Sequence, residues 1–151
     1  MTESRQLCTF MLGDFYFGID VLKVQEIIRH QEMTQVPLAP ASIRGLINLR
    51  GQIVTALDLR CRLGLPPRPA GLPSTNVVIH TADGPVSLLV DEIGDVLEVD
   101  PATLGRAPDT VRGAARQVID GVYRLKDRLL ILLDTERVVA VQDVAAITAT
   151  V

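Results

Sequence analysis

The chain has 151 residues, of which 48% are hydrophobic, and a formal net charge of −3. The negative charge argues against a nucleic-acid partner, because phosphate binding needs a basic surface. No apolar run approaches the ~18 residues of a membrane-spanning helix, and the polar first residues do not resemble a signal peptide. We therefore expect a cytoplasmic protein without direct membrane insertion.

Alternating apolar residues in the first half of the chain predict short β-strands. The Gly13-Asp14 turn indicates a first hairpin, and Asp20 can cap a helical turn after it. The segment Val24–Ile28 fits either a continuation of that helix or a strand. A second hairpin is expected to turn at Arg50-Gly51. The strands are predicted over residues 7–12, 15–19, 46–49 and 53–57, with one helical turn over 41–44.

The second half of the sequence repeats this plan. IRGLINLRGQIVTALDLRCRL in the first half aligns without a gap with IDGVYRLKDRLLILLDTERVV in the second. The aligned pairs include Ile43 with Ile119, Gly45 with Gly121, Leu57 with Leu133 and Asp58 with Asp134. A looser match joins residues 6–20 to residues 76–91. The later elements are predicted as strands over 77–81, 86–90, 122–125 and 129–133, a loop over 100–111 and a short helix over 135–141.

The repeat indicates one domain over residues 6–141, followed by a C-terminal tail over 142–151. Its copies span 6–65 and 76–139, and a Pro- and Gly-rich connector over 65–75 joins them. Many short strands with regular turns are typical of small barrels or a sandwich, and barrel closure removes exposed strand edges. Whether the two copies exchange strands is left open by the sequence.

Three aspartates, Asp58, Asp91 and Asp134, each end an apolar strand. Carboxylates at strand ends can hold metals or act as bases, but they also cap helical turns or bend the chain out of a sheet. The structural role is favoured, because one position repeats another and no histidine accompanies any of them. We therefore expect no metal and no cofactor.

The histidines and cysteines give little support to an enzyme. His30 and His80 each stand alone and are predicted at surface or turn positions. Cys8 fits a strand as a small hydrophobic residue. Cys61 lies between two arginines that could lower its pKa, but the sequence contains no nucleophile or phosphate-binding motif. We expect no enzymatic activity.

The two copies differ at the tip of their second hairpin. The first copy has Arg50-Gly51 where the second has Lys126-Asp127. Gly51 permits a turn and a close backbone approach that Asp127 does not allow as freely. Arg50 would project from this tip as a planar bidentate donor. From the residues alone, a recognition role and an ordinary solvated arginine are about equally supported.

Four segments resemble CheW, the family of coupling proteins of bacterial chemosensory arrays. They are GIDVLKVQEI, IRGLINLRGQIVTALDLRCRLGL, DEIGDVLEV and RLLILLDTERVV. The resemblance covers residues 6–141 and implies an all-β fold of two five-stranded β-barrels resembling SH3 domains, with a few short helices. It further implies a non-enzymatic adaptor that connects chemoreceptor cytoplasmic tips to the histidine kinase CheA. A CheA regulatory domain of the same fold would be a partner, and other CheW-like proteins would be possible neighbours in a ring.

The resemblance also implies two sets of contact residues. The family's receptor-binding groove between the barrels maps to Val24, Glu26, Arg50, Val77 and Val96. In that groove the valines would accept the apolar face of a receptor helical hairpin, while the two charges would fix its register. Core packing is the alternative for each valine.

The implied kinase-contact loop contains Leu104, Ala107, Pro108, Asp109 and Thr110. Thr110 stands where relatives often carry a larger aromatic residue, which puts one apolar ring contact in doubt. Two alternatives stay open beside the chemoreceptor adaptor. One is a CheW-like coupler of a pilus, gliding or other non-flagellar pathway. The other is a small regulatory domain that binds a metal or small molecule through the strand-end aspartates.

Overall fold

The computed structural model describes residues 4–29, 31–109 and 113–140. Ten strands in these ranges form two five-stranded sheets, which confirms the all-β fold class. The strands are β1 (Arg5–Leu12), β2 (Phe15–Asp20), β3 (Val24–Ile28), β4 (Ile43–Leu49), β5 (Gln52–Asp58), β6 (Thr75–Thr81), β7 (Gly84–Val90), β8 (Glu92–Val99), β9 (Ile119–Arg124) and β10 (Leu129–Leu133). The helices are α1 (Leu59–Arg62), α2 (Ala114–Val118) and α3 (Thr135–Val139), with 3₁₀ turns at Val21–Lys23 and Pro101–Thr103.

Each sheet takes strands from both sequence copies. One sheet, here called lobe A, has the order β8-β1-β2-β10-β9, and the other, lobe B, has the order β3-β6-β7-β5-β4. The first hairpin of each copy therefore pairs with strands of the other copy. If the copies are interchanged along the chain, one strand order becomes the other, so the two lobes are related by a reciprocal exchange.

The strand registers agree with this relation. β10 runs parallel to β2 with Ile131 opposite Phe17, and β5 runs parallel to β7 with Thr55 opposite Val86. Thr55 is the residue that aligns with Ile131 in the repeat. The similarity of the two copies thus extends from their sequences to the hydrogen-bonded pairing of their strands.

The chain segment that follows β3, and the one that follows β8, each cross to the opposite edge of the same sheet. Thr34 forms an isolated bridge with Leu46 on β4, and Gly105 forms one with Val122 on β9. Both bridges have two backbone hydrogen bonds, of 2.8 and 2.9 Å. These contacts bring the open ends of each sheet together, as in a small barrel.

Three hydrophobic clusters hold the lobes. One lies in lobe A around Leu7, Tyr123 and Leu130, and a second lies in lobe B around Ile47 and Val54. The third contains buried residues from strands of both lobes. The apolar residues of the repeat therefore fill a shared interface as well as two separate interiors.

The structure resolves the local ambiguities of the sequence. Val24–Ile28 is a strand, and Asp20 caps the 3₁₀ turn before it by accepting a hydrogen bond of 2.9 Å from the Leu22 amide. The expectation of a helical turn over 41–44 is wrong, because strand β4 already begins at Ile43. Helix α2 has no counterpart among the predicted elements. His30, Thr110 and the proposed tail lie outside the described residues.

Candidate functional site

The tip of the β4–β5 hairpin has an uncommon backbone conformation. Arg50 and Gly51 both have positive φ, at 51° and 87°. This is the pattern of a type I′ turn, which fits the twist of a two-residue hairpin. The side-chain oxygen of Asn48 accepts a 2.8 Å hydrogen bond from the Gly51 amide and supports the turn. The Arg50 side chain projects from this tip and is 72% exposed.

Arg50 donates a hydrogen bond to Glu26 on β3. The hydrogen bond lowers the pKa of Glu26 below its ordinary value. Two charges of the predicted receptor groove, separated by more than twenty positions in the chain, are therefore joined in the structure. Since the arginine is mostly exposed, its ion pair adds little to folding stability, and the guanidinium is accessible to a partner.

The three predicted groove valines lie in different environments. Val24 is half-buried against the shared cluster, and Val96 on β8 is 56% exposed. Val77 has no exposed surface and belongs to the shared core. The expectation that Val77 contacts a partner is therefore corrected, because β6 lies between β3 and β7 and packs this side chain inside.

Strands β3 and β8, here called the groove strands, occupy equivalent places at the edges of the two sheets. Each presents an apolar side chain to solvent: Ile27 on β3 is 44% exposed, beside 56% for Val96 on β8. Ile27 pairs with Val77, and Val96 pairs with Cys8, the corresponding position on β1 when the hairpin turns are aligned. Ile27 is a candidate contact that sequence reasoning missed, although the alternation along β3 signals an outward side chain.

The predicted kinase-contact loop divides into inner and outer residues. Leu104 and Ala107 are half-buried and pack on the lobe A and shared clusters, respectively. Pro108 and Asp109 are exposed. The loop is held at Gly105 by the bridge to β9, so its outer residues are presented from a fixed base.

Two of the strand-end aspartates are helix caps. Asp58 accepts a 3.3 Å hydrogen bond from the Cys61 amide at the start of α1, and Asp134 accepts one of 3.1 Å from the Arg137 amide at the start of α3. Asp58 also forms a 2.6 Å ion pair with Arg44. The capping prediction is thus confirmed for both aspartates. Within the described ranges no group of three or more His, Cys, Asp or Glu residues could hold a metal ion.

The third strand-end aspartate, Asp91, lies at the centre of a charged cluster. Its carboxylate accepts two hydrogen bonds from Arg60, one of 3.1 Å from Arg68 and one of 2.7 Å from the Gly13 amide. Burial alone would raise the pKa of Asp91, but the hydrogen bonds from Arg60, the Gly13 amide and Arg68 lower it from 3.8 to about 2. Asp91 is therefore an anion with a structural role, and its hydrogen-bond donors lie within the protein.

The two arginines beside Cys61 form their ion pair and hydrogen bonds with other groups. Arg60 pairs with Asp91, and Arg62 donates to the carbonyl oxygens of Val138 and Arg137 at 2.8 and 2.9 Å. Burial raises the pKa of the other cysteine, Cys8. These contacts give neither thiol the activating environment of a nucleophile.

The two-lobe fold agrees with comparison to known proteins. A family model described as a CheW-like domain matches residues 6–143. The chain belongs to this CheW-like family. The Chemotaxis protein CheW of Treponema pallidum is 33% identical over 89% of this chain and 82% of its own length. That of Klebsiella aerogenes is 31% identical over 97% of this chain and 88% of its own length.

A solved structure supports the CheW-like fold. The scaffolding protein TtCheW from Thermoanaerobacter tengcongensis superposes with a TM-score of 0.82 at 24% identity, and the match covers 93% of this chain and 95% of that chain. This similarity agrees with two SH3-like lobes. In the part of the chain that the structure describes, no helix is both long and apolar enough to span a bilayer.

Proposed function

We propose that this CheW-like chain is a non-catalytic, cytoplasmic adaptor that couples chemoreceptor tips to a CheA-type histidine kinase. The exposed ion pair between Glu26 and Arg50 is the observation that carries the proposal. It places a carboxylate on β3 and a guanidinium against it, in a pair that adds little to folding stability. Val24 and Val96 supply apolar surface to accompany them.

The chemistry of these residues fits a helical hairpin as the partner. An amphipathic helix binds through an apolar face, here offered Val24, Ile27 and Val96. Flanking charges select the register and exclude wrong partners more than they add affinity. Arg50 suits this role because its planar guanidinium can keep Glu26 and still donate to an acceptor on the partner.

Charge reversal at the hairpin tip tests the receptor part of the proposal. Arg50→Glu places a second carboxylate beside Glu26, so we expect binding of the cytoplasmic receptor hairpin to fall by about 10- to 100-fold. The measurement is co-sedimentation with receptor arrays and titration against the purified hairpin. Circular dichroism and urea unfolding should show that the fold is retained.

Lys126→Glu is the matched control. Lys126 is the residue that aligns with Arg50, it lies at the tip of the corresponding hairpin of lobe A, and no ion pair joins it to another described residue. It makes the same charge change on the same scaffold and should leave receptor binding intact. Unchanged binding in Arg50→Glu, or an equal loss in both variants, would place the receptor site elsewhere.

The outer residues of the loop after β8 are our proposed kinase contact. Pro108 and Asp109 are exposed, whereas Leu104 and Ala107 hold the loop to the fold. A Pro108→Ala/Asp109→Lys double variant should therefore reduce co-sedimentation of CheA while receptor binding persists. The identity of the kinase and receptors recovered from the native cytoplasm would distinguish a flagellar pathway from a pilus or gliding pathway.

A further inference from the structure

The chain crosses between the lobes at two points. It leaves lobe A for lobe B after β2, at Asp20, and it returns after β7, at Asp91. Each crossing leads into a groove strand: the 3₁₀ turn and β3 follow Asp20, and β8 follows Asp91 directly. Each groove strand therefore begins shortly after a crossing aspartate.

The Asp91 crossing is held from both lobes. The Gly13 amide, in the β1–β2 turn of lobe A, donates to its carboxylate at 2.7 Å. Arg60 on α1 donates from the lobe B side with Nε at 3.0 Å, and Arg68 in the connector donates with Nε at 3.1 Å. The two arginine side chains are only 12% and 11% exposed, so solvent screens these contacts weakly.

The Asp20 crossing is held more loosely. Its ion pair is with Arg5, at 3.6 Å, and the two side chains are 38% and 29% exposed. Asp20 otherwise caps the 3₁₀ turn of its own segment. The two crossings thus occupy equivalent places in the fold, but only the second has a carboxylate that joins three separate elements.

We propose that Asp91 is a positioning residue that fixes the groove strand β8 relative to β3. The Arg60–Asp91–Arg68 cluster sets where the chain leaves lobe B and enters β8, and with it the position of Val96. The effect on receptor binding rests on the proposed function, whereas the positioning of β8 does not. Recognition sites tolerate displacements of only about 0.5 Å in their supporting residues, so loosening this cluster should weaken binding without removing any contact residue.

Distance measurements between the groove strands test the positioning. Spin labels at Gln25→Cys on β3 and Glu98→Cys on β8, both exposed positions, are introduced with Cys61→Ser so that buried Cys8 is the only other thiol. We expect Asp91→Asn to broaden or shift the distance distribution. We also expect the dissociation constant for the receptor hairpin to rise about tenfold. Arg60→Gln, which removes the bidentate donor, should give the same change.

Two controls separate positioning from general destabilisation. Ile47→Val lowers stability from inside lobe B, where the side chain is 1% exposed, and should leave the label distances unchanged. Asp20→Asn makes the same chemical change at the other crossing and should have a smaller effect. The inference is overturned if Asp91→Asn and Arg60→Gln leave the distances as in the unmutated protein, or if Ile47→Val changes them equally. Changed distances without altered receptor affinity would contradict the part that rests on the proposed function.

Discussion

Lobes A and B have the same strand order but different hairpin tips. In lobe B the tip is a two-residue turn in which Arg50 has a φ of 51° and pairs with Glu26. In lobe A the corresponding residues, Lys126 and Asp127, do not have positive φ, and a hydrogen bond of 2.9 Å joins the Leu125 amide to the Arg128 carbonyl across them. The comparison teaches that the two lobes share a barrel frame and differ in turn type at one tip, which is the tip that carries the proposed recognition residues.

The shared glycines give the largest predicted effects. A Cβ on Gly121 would clash with the Gly105 carbonyl oxygen, and one on Gly45 would lie 2.7 Å from the Thr34 carbonyl oxygen. Because the obstacle is backbone in both lobes, we expect Gly121→Ala and Gly45→Ala each to lower the free energy of unfolding by about 3 kcal/mol. Urea unfolding measures both, and a mild effect in only one lobe would break the equivalence of the frames.

The crossing aspartates should differ in their effect on stability. Asp91→Asn leaves two mostly buried arginines without their carboxylate, and we expect a loss of about 2 kcal/mol at pH 7. Asp20→Asn should cost less than about 0.5 kcal/mol, because asparagine caps as well as aspartate and the ion pair is exposed. Equal losses in urea unfolding at pH 7 would show that the crossings are equivalent after all.

The stability of the unmutated protein and that of Asp91→Asn should depend differently on pH. The pKa of Asp91 is lowered from 3.8 to about 2 in the folded protein. Its stabilisation is therefore complete above about pH 4 and is lost as the pH falls towards 2. Between these limits, the unmutated protein should lose more stability than Asp91→Asn does. The free energy of unfolding is measured against pH for both proteins. If both lost the same amount of stability as the pH fell, this assignment would be ruled out.

An exchange of the tip residues should have a smaller effect. Gly51 has a φ of 87°, and no atom lies within 4 Å of the place that a Cβ would take. Gly51→Asp therefore costs conformational strain alone, about 1 kcal/mol. The reverse change, Asp127→Gly, should alter the free energy of unfolding by no more than about 0.5 kcal/mol. If thermal unfolding gave equal shifts for both, the turns would not differ in the way described.

Leu38 gives the smallest predicted effect, and it has the opposite sign. Leu38 and Arg50 are the two non-glycine residues with positive φ among those that the structure describes, and Leu38 is fully exposed. Leu38→Gly removes strain without removing packing, so we expect a gain of about 0.5 kcal/mol. Differential scanning calorimetry measures it, and a loss of stability would mean that this leucine has a packing role.

Local features of the fold could be predicted from the sequence because short-range chemistry determines them. The turns at Gly13-Asp14 and Arg50-Gly51 and the caps at Asp58 and Asp134 depend on residues within a few positions. The exchange of strands could not be predicted in the same way. No local signal indicates that β2 pairs with β10 of the other copy rather than with β5 of its own copy, because β5 and β10 are the corresponding strands of the repeat and present similar apolar faces.

The site was predictable only in part for the same reason. Val77 and Val78 are neighbours on β6, and both have 0% exposed surface because that strand is covered on its two faces. Alternation then cannot separate an inner from an outer residue. Asp91 has the same strand-end pattern as Asp58, and its different role depends on an arginine from α1 and another from the connector.

The exchange of strands has a consequence for synthesis of the protein on the ribosome. The first hairpin emerges early, yet its two outer neighbours in the finished sheet are β8 and β10. At a translation rate of about 5–20 residues per second, on the order of ten seconds pass between the synthesis of β2 and that of β10. During that interval β1 and β2 expose unpaired edges. Lobe A is therefore the part of the nascent chain most exposed to non-native strand pairing and aggregation.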